Sequence, residues 1–265
     1  MDTIKDLRLA VLIDADNVPH SQIQPMLQEI AKYGTPTFKR IYADWTKPTV
    51  SGWKSKLLEH AITPVQQYSY TTGKNSTDSA LIIDAMDILY TGRVDGFCIV
   101  SSDSDFTRLA TRLREAGMKV FGMGERKTPH AFISAVDKFI YIEILKGNGE
   151  QKKKAQAPQK KKSSPKKQQQ ENIESAVPVE TDPFANYELV NLIESSVNDL
   201  ADESGWVFLG ELGNLLLKKK PDFDPRNYGF KKLVSLIESL EQFEVHKESS
   251  GKGNISHVYV KSKAS

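Results

Sequence analysis

The sequence predicts an α/β domain, a parallel sheet with helices on both faces, followed by a small winged-helix domain. Three observations carry this. Short apolar, β-branched runs alternate with helix-period segments over residues 1–146. A stretch almost without apolar residues intervenes over 147–185. Beyond it, 186–265 regains helical patterning and closes on two strand-like runs around a Gly-Lys-Gly turn.

The expected strands are RLAVLID (8–14), TFKRIYA (37–43), TPVQQYSY (63–70), GFCIVSS (96–102), KVFGMG (119–124) and KFIYIE (138–143). Helices are expected near 20–33, 51–61, 77–90, 105–116 and 129–136. Gly117 stands where a helix C-terminus calls for glycine. This βαβ alternation makes the strands parallel, and ligands of such sheets bind beyond the strands' carboxyl ends. In the C-terminal unit a helix is expected over about 186–203, with Leu189, Leu192, Ile193 and Val197 on one face. A second face follows in Phe230, Leu233, Val234, Ile237 and Leu240, and FEVHKESSGKGNISHVYVK reads as a hairpin.

Charge is unevenly spread. Residues 1–150 hold 18 basic and 18 acidic side chains, 151–185 hold 8 and 4, and 186–265 hold 10 and 12. The basic excess lies in the middle segment, which cannot bury enough surface to offset its ordering entropy and reads as a disordered linker. Its lysines serve either as a solvated tether or as phosphate contacts. Cys98 is the only cysteine, which excludes an intramolecular disulfide and a cysteine-rich zinc site. The start MDTIKDLRLA lacks a signal-peptide pattern and no apolar run reaches membrane-spanning length, so a cytoplasmic setting without membrane contact is expected.

The strand ends are acidic. The first strand ends in Asp14-Ala15-Asp16-Asn17, the second in Asp44 and the fourth in Asp103-Ser104-Asp105. In the helix TDSALIIDAMDILY, Asp78 shares a face with Leu81, Ile82, Ala85, Ile88 and Leu89, one turn before the apolar residues begin. Its first turn sits over the strand ends, so Asp78 converges with Asp14, Asp103 and Asp105. Carboxylates so placed repel unless a hard cation neutralises them, and Mg²⁺ or Mn²⁺ suits oxygen ligands. Asp14 and Asp103 are expected as direct ligands, Asp78 and Asp105 as direct or water-mediated ones. Asp16, Asp44 and Asp105 also read as simple caps, and Asp84 and Asp137 as structural partners of nearby donors. Lys74, in the glycine-containing loop TTGKNSTD feeding a helix start, suits a phosphate or is an ordinary surface lysine.

LIDADN (12–17), GKNSTDSALIID (73–84) and VSSDSDFTRLATRLREAG (100–117) resemble the NYN domain of the PIN-like ribonuclease superfamily over about residues 6–146. The resemblance implies that Asp14, Asp78, Asp103 and Asp105 bind Mg²⁺ or Mn²⁺ and that Asn17 helps arrange the site. It further implies hydrolysis of RNA phosphodiesters, more readily as an endonuclease than as an exonuclease. FDPRNYGFKKLVSLIE is similar to the LOTUS, or OST-HTH, domain over nearly all of 186–265. That similarity implies binding of RNA, including G-rich single strands, and in some members helicase partners. Arg226, Lys231, Lys232 and Lys252 are then candidates for phosphate contact and Tyr228 for base stacking, although the unit is net acidic. Two other readings stand beside this one. DADNV (14–18) fits the Asp-x-Asp-x-Thr/Val signature of haloacid-dehalogenase-type phosphatases, with Asp14 as nucleophile. A non-enzymatic RNA-binding adaptor would use the same fold without turnover.

Overall fold

The computed structural model describes residues 6–68, 76–145, 183–249 and 256–263. The expected sites Lys74 and Lys252 and the segment 146–182 lie outside these residues. The described chain forms two compact units. One takes in the residues through Leu145 together with Asn214–Asp224, the other Pro183–Gly213 and the residues from Pro225 on.

Six parallel strands make the sheet of the first unit: β1 Arg8–Asp14, β2 Thr35–Ala43, β3 Thr63–Gln66, β4 Gly96–Val100, β5 Lys119–Gly124 and β6 Lys138–Tyr141. Between them lie α1 Ile23–Ile30, α2 Lys54–Glu59, α3 Ser76–Tyr90, α4 Thr107–Glu115 and α5 His130–Ala135. Differences from the sequence reading sit at element ends. β2 starts two residues early because Pro36 falls beside the register shift between Leu9 and Ala10, where a missing amide is tolerated. β3 is shorter than expected and stops where its partner stops, at Ala43 opposite Gln66. Helices expected as single pieces begin in 3₁₀ turns, at His20–Gln22, Pro48–Trp53 and Ser104–Phe106. Past α4, Gly117 adopts φ +80°, which closes the helix at little cost only for glycine.

The strand order is β3-β2-β1-β4-β5-β6. The chain builds outward from β1 in one direction, then returns and builds in the other. β1 and β4 are therefore neighbours at the topological switch point, where a crevice opens beyond the strand ends. Alternation along β1 feeds both cores. Leu9, Val11 and Ile13 pack with Ile23, Met26, Ile30 and Trp53 on one face. Ala10 and Leu12 pack with Leu81, Ala85 and Ile88 of α3, Leu109 and Leu113 of α4 and Phe132 of α5 on the other. β4 is buried along its whole length, as a central parallel strand must be.

The second unit contains α6 Pro183–Leu200, β7 Val207–Phe208, the start of α7 Leu209–Lys219, α8 Leu233–Glu238, β8 Phe243–Ser249 and β9 Ser256–Ser262. Its strands pair in the order β7-β9-β8, antiparallel throughout. Leu189, Ile193, Val197, Val207, Leu212, Ile237, Leu240 and Val260 are buried, as the periodicity predicts for the helices. Leu236 is buried as well, outside the face expected for its helix, whereas Leu192, Phe230, Leu233 and Val234 of the expected faces are only half-buried. No described helix is long and apolar enough to cross a membrane.

Candidate metal centre

Asp14 closes β1 at 1% exposure and lies on the edge where the sheet order reverses. So buried a carboxylate needs donors. Three supply them: the Asp16 amide donates to Oδ1 at 3.1 Å, Asn17 Nδ2 to Oδ2 at 2.6 Å and Ser101 Oγ to Oδ2 at 2.8 Å. Burial still dominates and raises the Asp14 pKa, with the Asn17 and Ser101 hydrogen bonds opposing it. The first two donors follow from the local sequence, since the chain turns directly after β1. The third comes from β4, 87 residues away, and depends on the strands being adjacent.

Ser101 is the residue that the sequence reading missed. It is fully buried, and its hydroxyl also accepts a bond from the Asp103 amide at 3.1 Å. One side chain thus ties the acid ending β1 to the acid following β4. The signal was a hydroxyl at the last buried position of an apolar strand. Ser102 acts alongside it, its hydroxyl accepting from the Glu125 amide at 2.8 Å and so fixing the loop after β5.

Asp103 caps the turn Ser104–Phe106, its Oδ1 accepting from the Asp105 amide at 2.9 Å. That geometry answers how two acids one residue apart coexist: the amide of one stabilises the charge of the other. Asp78, in the first turn of α3, joins them. One oxygen from each of Asp78, Asp103 and Asp105 lies within 4.8 Å of the others. Asp78 and Asp103 are half-buried and Asp105 is exposed. Crowding has an electrostatic signature. The Asp78 carboxyl is pushed up to about 6, first by burial, then by the charges of Asp14, Asp103, Asp105 and Asp16. Three oxygens at such spacing fit a hard divalent cation, which lowers the repulsion that the protein alone leaves standing.

The other expected site residues separate from this group. Asp16 is exposed; its amide donates to Asp14 and its charge adds to the repulsion on Asp14 and Asp78. Asp44 is a turn acid whose Oδ1 accepts from Thr46 N at 3.2 Å, Thr46 Oγ1 at 2.6 Å and Gln66 Nε2 at 3.2 Å. Asp84 is held by Arg40 and by the Tyr42 hydroxyl. Asp137 accepts from the Val120 amide at 2.8 Å. Asp14 was expected beside Asp103 as a direct ligand, yet it lies outside the three-acid group. In the second unit Lys231 and Lys232 are exposed and Arg226 and Tyr228 half-buried.

Residues 8–143 match the model of the NYN domain, and residues 186–255 that of the OST-HTH/LOTUS domain. Among curated proteins nothing matches the chain. A solved protein of unknown function from Vibrio parahaemolyticus RIMD 2210633 is similar at 22% identity, over 54% of this chain and 96% of that one, with a TM-score of 0.44. An uncharacterized protein from Nitrosomonas europaea is similar at 27% identity, over 41% of this chain and 94% of that one, with a TM-score of 0.28.

Proposed function

The chain belongs to the NYN domain family, with an OST-HTH/LOTUS domain following, and from that premise we propose that it is a metal-dependent ribonuclease guided to RNA by its C-terminal part. The observation that carries the reading is the convergence of Asp78, Asp103 and Asp105 at the switch point of the sheet. These three would hold Mg²⁺ or Mn²⁺, with Asp14 behind them. When bound, such an ion supplies Lewis acidity toward a phosphodiester and toward the water that attacks it. The protein's own contribution is rigidity and charge. Asn17 and Ser101 hold Asp14 in place, and Ser101 in turn holds the Asp103 amide. The Asp105 amide fixes the Asp103 carboxylate, so part of the anionic site is held in place by the backbone.

In this reading residues 1–146 perform the chemistry, 147–185 form a basic tether and 186–265 engage single-stranded RNA. Arg226, Lys231 and Lys232, with Lys252 and Lys74, would meet phosphates, and Tyr228 a base. The test uses a circular single-stranded RNA, which offers no ends. We expect Mn²⁺-dependent linearisation by the parent chain and none by Asp103→Asn, which loses one charge of the cluster. Cleavage by Asp103→Asn equal to the parent overturns the site. Digestion of linear but not circular RNA replaces endonuclease by exonuclease.

A further inference from the structure

The C-terminal sheet carries a row of rings on its outer face. Register places Phe208 opposite Tyr259 and Tyr259 opposite His246, so the row runs across all three strands. Trp206 stands beside His246 with ring centres 5.8 Å apart, and Phe208 beside Tyr259 at 5.9 Å. These rings wall a cleft of about 430 Å³. The neighbouring pair Val207 and Val260 is buried in the core, which uses the other face of the same strands. Phe208 keeps 39% of its surface exposed, an unfavourable placement unless something covers it.

The rest of the lining is acidic. Asp202, Glu211 and Glu248 border the cleft, and among the described residues no lysine or arginine lines it. All three acids are exposed. The Ser204 hydroxyl and the Ser204 and Trp206 amides hold Asp202 below the usual carboxylate range, so it is ionised at neutral pH. Ring faces and carboxylates act in the same direction here, since both attract a cation and both repel a phosphate. The chain already shows the pairing once: Lys261 Nζ lies 5.9 Å from the centre of the Trp206 ring and donates to the Ser204 carbonyl at 2.8 Å.

We propose that this cleft binds an arginine or lysine side chain presented by a basic segment of a partner protein. Arginine suits it better, because a planar guanidinium stacks on a ring while its edge donates to a carboxylate. RNA is the disfavoured occupant, since its phosphates would face three carboxylates while Lys261, the lysine beside Trp206, is already engaged by the Ser204 carbonyl. The cleft is thus a protein-binding surface on a unit otherwise expected to bind RNA through Arg226, Tyr228, Lys231 and Lys232.

The experiment measures fluorescence anisotropy of a labelled peptide of alternating arginine and serine, titrated with the full chain. Labelled single-stranded RNA is titrated in parallel. We expect the peptide to bind, with affinity falling as salt rises. Glu211→Lys, a reversal at an exposed position, and Trp206→Ala should each weaken it by about tenfold. Glu115→Lys, a reversal in the first unit, should leave it unchanged. Trp206→Ala should leave RNA affinity at the parent value. Equal peptide affinity in the parent and in Glu211→Lys overturns the proposal whatever the fold of Trp206→Ala. Loss of RNA but not peptide binding in Trp206→Ala assigns the rings to RNA and also overturns it. Tighter peptide binding after the lysines of 152–167 are replaced by glutamine gives the cleft to the chain's own segment, and the partner assignment falls.

Discussion

Burial first, and then the charges of Asp14, Asp103 and Asp105, lift the Asp78 carboxyl from 3.8 to about 6. Folding therefore raises this pKa, and the folded state holds the proton more tightly than the unfolded one. With metal removed, the stabilising contribution is fully present below the unfolded value of 3.8 and is lost as pH rises through about 6. Asp78→Asn removes the titration. In chelator, the melting temperature of Asp78→Asn relative to the parent should rise between about pH 4 and about pH 7. A parallel pair of curves would mean that Asp78 does not feel its neighbours. The stabilisation that Mn²⁺ gives the parent should shrink in the same variant, because one oxygen donor of the three is altered. That Asp78, Asp103 and Asp105 draw together was legible in the sequence, since the strand ends and the first turn of α3 share one edge of a parallel sheet; Asp14 was expected with them and stands apart. Their depth was not. Asp14 is buried and takes a hydrogen bond from Ser101, 87 residues away, and nothing in LIDADN distinguishes a covered carboxylate from an open one.

At the scale of elements, the site depends on how closely β5 approaches β4. Gly124 ends β5, and a Cβ there would lie 2.6 Å from the Ser101 carbonyl oxygen and 2.7 Å from Thr128 Oγ1. The first of these atoms is backbone, so Gly124→Ala must push the end of β4 aside and carry Ser101 with it. We expect a loss of about 1–3 kcal/mol in urea unfolding and a fall in RNA cleavage larger than the stability loss explains. Gly117→Ala serves as the comparison. Its φ of +80° makes alanine strained, yet nothing lies within 4 Å of the added atom, so it should lose stability while keeping cleavage. Strands and helices of the first unit were legible because period and β-branching agree in them. The two-residue strand β7 was not, because Val207 and Phe208 are too few to show a period, and with it went the ring row that β7 begins.

For the whole molecule, the eight lysines between Lys152 and Lys167 are either phosphate contacts or a solvated tether, and salt dependence separates the two. If each neutralises one phosphate, replacing them with glutamine flattens the slope of log affinity against log salt by up to about 5–6. Binding should weaken similarly for unrelated RNAs, measured in an Asp103→Asn background. An unchanged slope leaves the segment as a tether, whose only effect is to raise the effective concentration of one unit near the other. The strand order has a consequence in time as well as in space. β1 is made first, yet its partner β4 and the hydroxyl that steadies Asp14 come 87 residues later. A chain still being synthesised has the acid but not the pocket. On the ribosome Asp14 waits for its Ser101 donor until β4 has emerged, so a long-range pairing sets the moment at which this acid is steadied.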